Sequence, residues 1–370
     1  MTYSMFDGRL ALLQRVLPSY RKTFFEALAT RCIKGLFLLA GQPRPSESIQ
    51  PAGSLNGIEL TMTRNLHISQ GKSFFWWQDG VKRWLSESDP DALIAEANPR
   101  YLSTPQAVRW MHARQRPVIG WGLGAPGGGV QSGLRARFIH QFDALITYSQ
   151  SGADQYGRLG FPRERILVAQ NAVALRPSWQ PPNRSLHPDG KPIILFVGRL
   201  QPRKKVDSLI LACAQLPERL QPRLVIIGDG PARAELEELA RVNYPGTEFP
   251  GGIHDEALAP WFQAADLFVL PGTGGLALQQ AMTYALPVIA GVADGTQADL
   301  VRRSNGWLLE NDTVADLTNV LVVALSDISR LRKMGEESFR IVRDEINVEH
   351  MVDVFLAAIE QASSTIKGIK

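Results

Sequence analysis

Cysteine is nearly absent: the 370 residues contain two, Cys32 and Cys213. They stand far apart with no metal-ligand spacing, which excludes a disulfide framework and a cysteine-held metal. They read as small buried thiols in a reducing compartment. Long hydrophobic runs are also lacking, and stretches such as LFLLAG are far too short to span a bilayer. No charged-then-apolar signal segment opens the chain. The expectation is a cytoplasmic protein, with room for peripheral contact with the inner face of a membrane. The six histidines show no ligand spacing, and no Ser/His/Asp arrangement can be read. The Asp-x-Asp of SDPD (88–91) precedes a strand instead of ending one, so turn and strand entry is its expected role and no metal is expected.

What is present describes a globular chain: 45% hydrophobic and 21% charged residues, long enough for two domains. The net charge of +4 is mild but unevenly placed. Between residues 9 and 44, seven Lys and Arg residues are opposed only by Glu26. This suits an anionic neighbour, either a phosphorylated acceptor or an anionic membrane face, and equally suits solvated helix faces. Nucleic acid is not expected.

The stretch LFVLPGTGGLALQQAM (267–282) organises the rest. An apolar run of strand length, Leu267–Leu270, stops at Pro271 and enters the turn Gly272, Thr273, Gly274, Gly275. Good helix formers follow, with Leu276 and Gln280 one turn apart. Strand, glycine turn and helix together aim bare N–H groups and a helix N-terminus at a crevice, which suits a phosphate; a tight loop would need the same glycines.

In chain order, Pro18 breaks the first segment, and Ser19, or Thr23 with Glu26, is placed to cap a helix with an inner stripe of Phe24, Phe25, Leu28 and Cys32. Strands are expected at 35–41, 91–100, 116–124, 143–149 and 164–173, and FFWWQDGVKRWL reads as an amphipathic helix or its approach. Residues 42–70 carry no clear pattern. RPSWQPPNRSLHPDG (176–190), with four prolines, reads as a linker. A second series follows: PIILFVG, a helix near 206–216, RLVIIGDG, a helix from Pro231, the 267–282 unit, PVIAG and GWLLE, then terminal helices. The expected fold class is α/β, with two Rossmann-like domains facing each other across a cleft. Residues 1–175 and 191–347 are the domains, and 348–370 is a helix returning to the first.

GRLQPRKKVD (198–207) places Arg199, Arg203, Lys204 and Lys205 after the first strand of the second series. Four cations there could clamp a diphosphate or form a solvated loop. The GDGP of 228–231 is accounted for by turn chemistry, with a functional role as the lesser reading.

GRLQPRKKVD, GDGP, FPGGIHDEALAPWFQAADLFVLPG, GLALQQAM, LPVIA and NGWLLEND together resemble the C-terminal half of glycosyltransferase family 4, which comprises retaining, nucleotide-sugar-dependent enzymes of GT-B fold. DALITYSQSGADQYGRLGFPRERILVAQNAV is similar to that family's bridge between domains. The resemblance implies diphosphate-binding roles for Arg199 and Lys204. It also implies a donor site made of Gly198, Gly272, Thr273, Gly274, Gly275, Leu276 and Gln280, with Asp299 at a usual Glu-x-Val. It departs where the family's Glu-x7-Glu would fall, at Gly272 and Gln280, and where a first-domain histidine would fall, near Gly120–Leu123, since WGLG has none. The implied function is sugar transfer, with retention and without metal or cofactor, from a nucleotide sugar to a glycan or lipid-linked acceptor in cell-surface polysaccharide synthesis. Tyr20, Arg21, Asn98, Arg100 and Trp121 are the acceptor-side candidates. A catalytically inactive GT-B nucleotide-binding or scaffold protein is the alternative.

Overall fold

The computed structural model describes residues 4–368 apart from 45, 46, 48, 69–74, 126–129, 186–189 and 292–294. Contacts divide the chain into two compact units, residues 1–175 with 348–370, and residues 176–347.

The first unit is built on β1 (Leu10–Val16), α1 (Lys22–Ala29), β2 (Leu36–Gly41), β3 (Ile58–Thr63), β4 (Asn65–Ile68), β5 (Phe75–Gln78), α2 (Val81–Ser88) and β6 (Ala92–Glu96). α3 (Thr104–His112), β7 (Val118–Gly122), α4 (Val130–Ile139), β8 (Ala144–Thr147), α5 (Gln150–Arg158) and β9 (Ile166–Val168) follow. Seven strands form one parallel sheet in the order β3-β2-β1-β6-β7-β8-β9. Runs such as LALLQRV and LFLLAG carry apolar side chains on both faces because helices cover both faces of a parallel sheet. The order reverses between β1 and β6, the kind of switch point that opens a crevice at the carboxyl ends of strands.

The second unit contains β10 (Ile193–Val197), α6 (Val206–Ala214), β11 (Arg223–Ile227), α7 (Arg233–Asn243), β12 (Glu248–Gly251), α8 (Ala259–Ala264) and β13 (Leu267–Leu270). It continues through α9 (Leu276–Thr283), β14 (Val288–Ala290), α10 (Thr296–Leu300), β15 (Gly306–Leu308), α11 (Val314–Leu325) and α12 (Ile328–Asp344). Its six strands are parallel in the order β12-β11-β10-β13-β14-β15, with a switch between β10 and β13. All four residues of β13 are buried.

The last helix, α13 (Val348–Gly368), belongs to the first unit. Its Phe355 packs edge-on against Phe24 of α1 at 4.8 Å and Trp121 of β7 at 4.9 Å. Asp353 pairs with Arg31 at 2.9 Å.

Two local expectations are corrected. Phe75–Gln78 of FFWWQDGVKRWL is strand, because it pairs antiparallel with β4; the helix begins only at Val81. Neither Ser19 nor Thr23 caps α1, whose N-cap is Arg21 without a side-chain bond, and Glu26 instead accepts from the Asn56 N–H at 2.8 Å. The stretch 176–190 groups with the second unit, to which Arg184 fastens it and where Arg332 donates to the Ser185 carbonyl at 2.8 Å. The Arg184 guanidinium donates to the carbonyls of Phe262, Ala265, Tyr284 and Ala285 at 2.7–3.1 Å. Burial, and then neighbouring Arg332, push its pKa down to about 10. Asp266, at the start of β13, holds Arg332 at 2.7 Å and accepts from the Ile193 N–H at 2.8 Å.

Candidate functional site

In the second unit, the carboxyl ends of β10 and β13 bring together the basic segment and the glycine turn. Leaving β10, the chain passes Gly198 and exposed Arg199, then forms a single turn over Pro202–Lys204. That turn lies on the glycine segment. The Thr273 N–H donates to the Arg203 carbonyl at 3.0 Å, Arg203 Nη1 to the Thr273 hydroxyl at 2.8 Å, and Lys204 Nζ to the Thr273 carbonyl at 2.5 Å. Gly272 is buried beneath the turn, where a Cβ would stand 2.6 Å from Lys204 Cα. Gly274 has φ +136°, and a Cβ there would meet Lys204 Nζ at 2.5 Å. Gly272 is therefore required by the close approach of the Lys204 backbone, and Gly274 by its positive φ.

Burial, and then the charge of Arg203, push the Lys204 ammonium down to about 8. Lys205 sits at φ +55° and pairs with Asp312. Gly275 is the N-cap of α9, so the free N–H groups of that helix's first turn begin beside Lys204. Gln297 Nε2 donates to the Gly274 carbonyl at 2.6 Å and steadies the turn from α10. Gln280 is half-buried on α9, whereas its neighbour Gln279 is fully buried and donates to the Ile346 carbonyl at 2.9 Å.

Beside this cluster a cavity of about 470 Å³ opens at the carboxyl ends of β10, β11 and β12, lined among others by Gly198, Arg199, Asp229, Gly230 and His254. Gly228 and Gly230, at φ +152° and +157°, lie flush against the Gly198 and Leu200 carbonyls and leave no room for side chains. The GDGP turn thus forms a wall of this cavity as well as ending a strand.

In the first unit a cavity of about 450 Å³ opens at the carboxyl ends of β6 and β7, with Glu96, Asn98, Arg100, Trp121 and Tyr148 among its lining. Glu96 ends an otherwise apolar strand, accepts from the Arg15 N–H at 2.7 Å and is hydrogen-bonded by Tyr101. Burial pushes its carboxyl up despite those bonds. Arg21 is buried, stacks 4.3 Å from the Trp121 ring and donates from Nη2 to the Tyr148 hydroxyl at 2.7 Å. Arg21 Nη1 and Trp121 Nε1 are buried and find no acceptor among the described residues. Tyr20 is 42% exposed beside Arg21. The Asp-x-Asp of SDPD stays out of both cavities: Asp89 pairs with Arg116 at 2.5 Å, and Asp91 accepts from the Arg9 N–H at 2.8 Å.

Residues 178–340 match the family model described as "Glycosyl transferases group 1". The chain is 35% identical over 193 residues to a GDP-mannose-dependent alpha-mannosyltransferase of Corynebacterium glutamicum, covering 50% of this chain and 42% of that one. It is 31% identical over 225 residues to a D-inositol 3-phosphate glycosyltransferase of Nocardia farcinica, covering 54% and 48%. It thus spans less than half the length of these relatives. Among solved structures, the lipopolysaccharide outer core galactosyltransferase WaaB superposes with a TM-score of 0.68 at 18% identity, over 95% of this chain and 99% of that one. Anabaena HepE in complex with UDP gives 0.67 at 17%, over 97% and 99%. These likenesses establish the fold: two Rossmann-like units of the GT-B glycosyltransferases.

The sequence reading did not single out Glu96, Tyr148 or His254, which the structure places in the linings of the two cavities. An acidic residue closing the apolar run ALIA was the available signal for Glu96. Nothing local singles out His254, which reaches its cavity only through the placement of β12.

Proposed function

We propose that the protein is a retaining glycosyltransferase, moving a sugar from a nucleoside-diphosphate sugar to a hydroxyl of a glycan or lipid-linked acceptor, in cell-surface polysaccharide synthesis. The seating of Lys204 on the glycine turn beside the N-terminus of α9, with Arg199 following the end of β10 at the same switch point, carries this reading. The match of 178–340 and the relatives' names support it.

In this reading the nucleoside occupies the cavity walled by Gly198, Gly230 and His254, and Gln280 accepts from the ribose. The diphosphate lies between Arg199, Lys204 and the N–H groups after Gly275. As the bond from the anomeric carbon to phosphate breaks, the electron pair passes to the diphosphate, where these charges are already in place. The acceptor oxygen bonds to the anomeric carbon and its proton is taken up by the departing diphosphate, with no protein nucleophile and no metal. Lys204 must exchange the Thr273 carbonyl for phosphate oxygen, a stronger, charge-assisted partner. On the acceptor side, the buried donors Arg21 Nη1 and Trp121 Nε1 would gain the acceptors they lack, with Asn98, Arg100 and Tyr20 around them. Free, buried Cys32 and Cys213 suit the cytoplasmic placement that belongs to this reading.

A thermal-shift panel of nucleotide sugars, followed by transfer and donor-hydrolysis assays with and without EDTA, tests the proposal. A raised melting temperature and chelator-resistant turnover are expected. Binding without turnover leaves the scaffold reading in its place, and loss of turnover in EDTA overturns the metal-free mechanism.

A further inference from the structure

β4 and β5 form a separate two-stranded sheet in register Leu66↔Trp77 and Ile68↔Phe75. Its inner face is polar and aromatic. His67 meets Trp76 edge-on at 5.9 Å, Trp76 meets Tyr101 at 5.0 Å, and Gln78 donates to the Gln14 carbonyl at 2.9 Å. A third segment joins through a parallel bridge of Trp76 with Tyr101, in which the Trp76 N–H donates to the Arg100 carbonyl and the Leu102 N–H to the Trp76 carbonyl, both at 2.9 Å. Tyr101 faces inward with Trp76, so alternation turns Arg100 and Leu102 outward with Phe75 and Trp77. The outer face therefore carries Leu66, Ile68, Phe75, Trp77 and Leu102, four of them 37–49% exposed to solvent. Exposed Arg64 and Arg100 border it. Asp79, the carboxylate at the open end of the sheet, is turned back onto the Gly80 N–H at 2.9 Å.

We infer that this face is a membrane-docking surface, seating five apolar side chains in the interfacial layer of an anionic bilayer while Arg64 and Arg100 meet lipid phosphates. A second copy of the chain is the lesser fit, because five residues fall well short of the roughly 20–30 per side of a stable protein interface. Arg100 also lines the first unit's cavity, so docking brings that cavity's rim to the lipid surface. The inference rests on the geometry of the first unit alone and not on the reading of the second unit as a donor site.

Co-sedimentation with phosphatidylcholine vesicles, with and without phosphatidylglycerol, tests it. The whole protein is expected to partition onto the anionic vesicles, and the doubly substituted Ile68→Asp/Phe75→Asp protein to lose at least about tenfold in partition coefficient. Leu102→Asp, on a different segment, should weaken partition in the same direction, and Arg64→Glu should abolish the preference for anionic lipid. All variants should keep the wild-type melting temperature within a few degrees, since these side chains are exposed, and should keep wild-type binding of GDP or UDP. Wild type that fails to sediment, or variants that sediment as well as wild type, overturn the inference. A wild-type dimer that the double variant converts to monomer also overturns it, in favour of a contact between copies.

Discussion

Gly272 and Lys204 touch through their backbones: a Cβ on the glycine would stand 2.6 Å from the lysine Cα. The space a side chain at 272 would need is thus occupied by the basic turn itself. The missing side chain and the seating of Lys204 are one structural fact.

Gly272→Ala should therefore destabilise the second unit by ~1–3 kcal/mol, the usual cost of overpacking, read as a lower urea midpoint. Gly272→Glu should do so at least as strongly and should not tighten donor binding. An unshifted midpoint for Gly272→Ala would show that the turn yields freely.

Lys204→Ala should weaken nucleoside-diphosphate binding by ~1.5–3 kcal/mol, about 10- to 150-fold. Lys205→Ala should change it by less than about twofold, because that ammonium is partly exposed and faces Asp312. Equal affinity of wild type and Lys204→Ala by calorimetry would remove Lys204 from the site.

The depressed pKa of Lys204 gives a sign to the pH dependence. Free protein loses the Lys204 proton as pH rises through about 8, while a bound diphosphate holds the proton on. Affinity should be greatest below pH 8, fall as pH rises above it, and be accompanied by proton uptake on binding, measurable by calorimetry in two buffers of different ionisation enthalpy. The unliganded protein should gain stability over the same rise, since between about 8 and the ordinary lysine value the unfolded chain holds more protons. Lys204→Met should flatten both profiles.

Arg184→Ala should cost roughly 2–4 kcal/mol in thermal or urea unfolding, because four backbone carbonyls lose one shared donor. Arg184→Lys should rescue little, since an ammonium cannot reproduce the planar fork.

Gln280→Glu should tighten nucleotide binding by about tenfold, since a charged acceptor exceeds a neutral one by ~1 kcal/mol or more. Gln280→Leu should weaken it. Identical affinities across wild type and both variants would place the ribose elsewhere.

Much of this protein was legible locally. Apolar runs such as Leu36–Gly41 and Leu267–Leu270 specify buried strands because a parallel sheet wants side chains of one kind on both faces. Glycine and proline punctuation marks where they end, and the cations after β10 announce themselves by number. Composition alone limits the chain to two cysteines and to apolar runs such as LFLLAG, too short to cross a bilayer. Tertiary structure decided the rest. FWWQ became strand because a partner lay opposite it, not because of its own period. Proline-rich 176–190 was tied down by Arg184, whose four acceptors come from segments some 80 to 100 residues away in sequence. That the basic turn lies on Gly272 left no local signal in the glycine segment. In each case a contact between residues distant in the chain outweighed local preference, and such contacts leave no periodic trace in sequence.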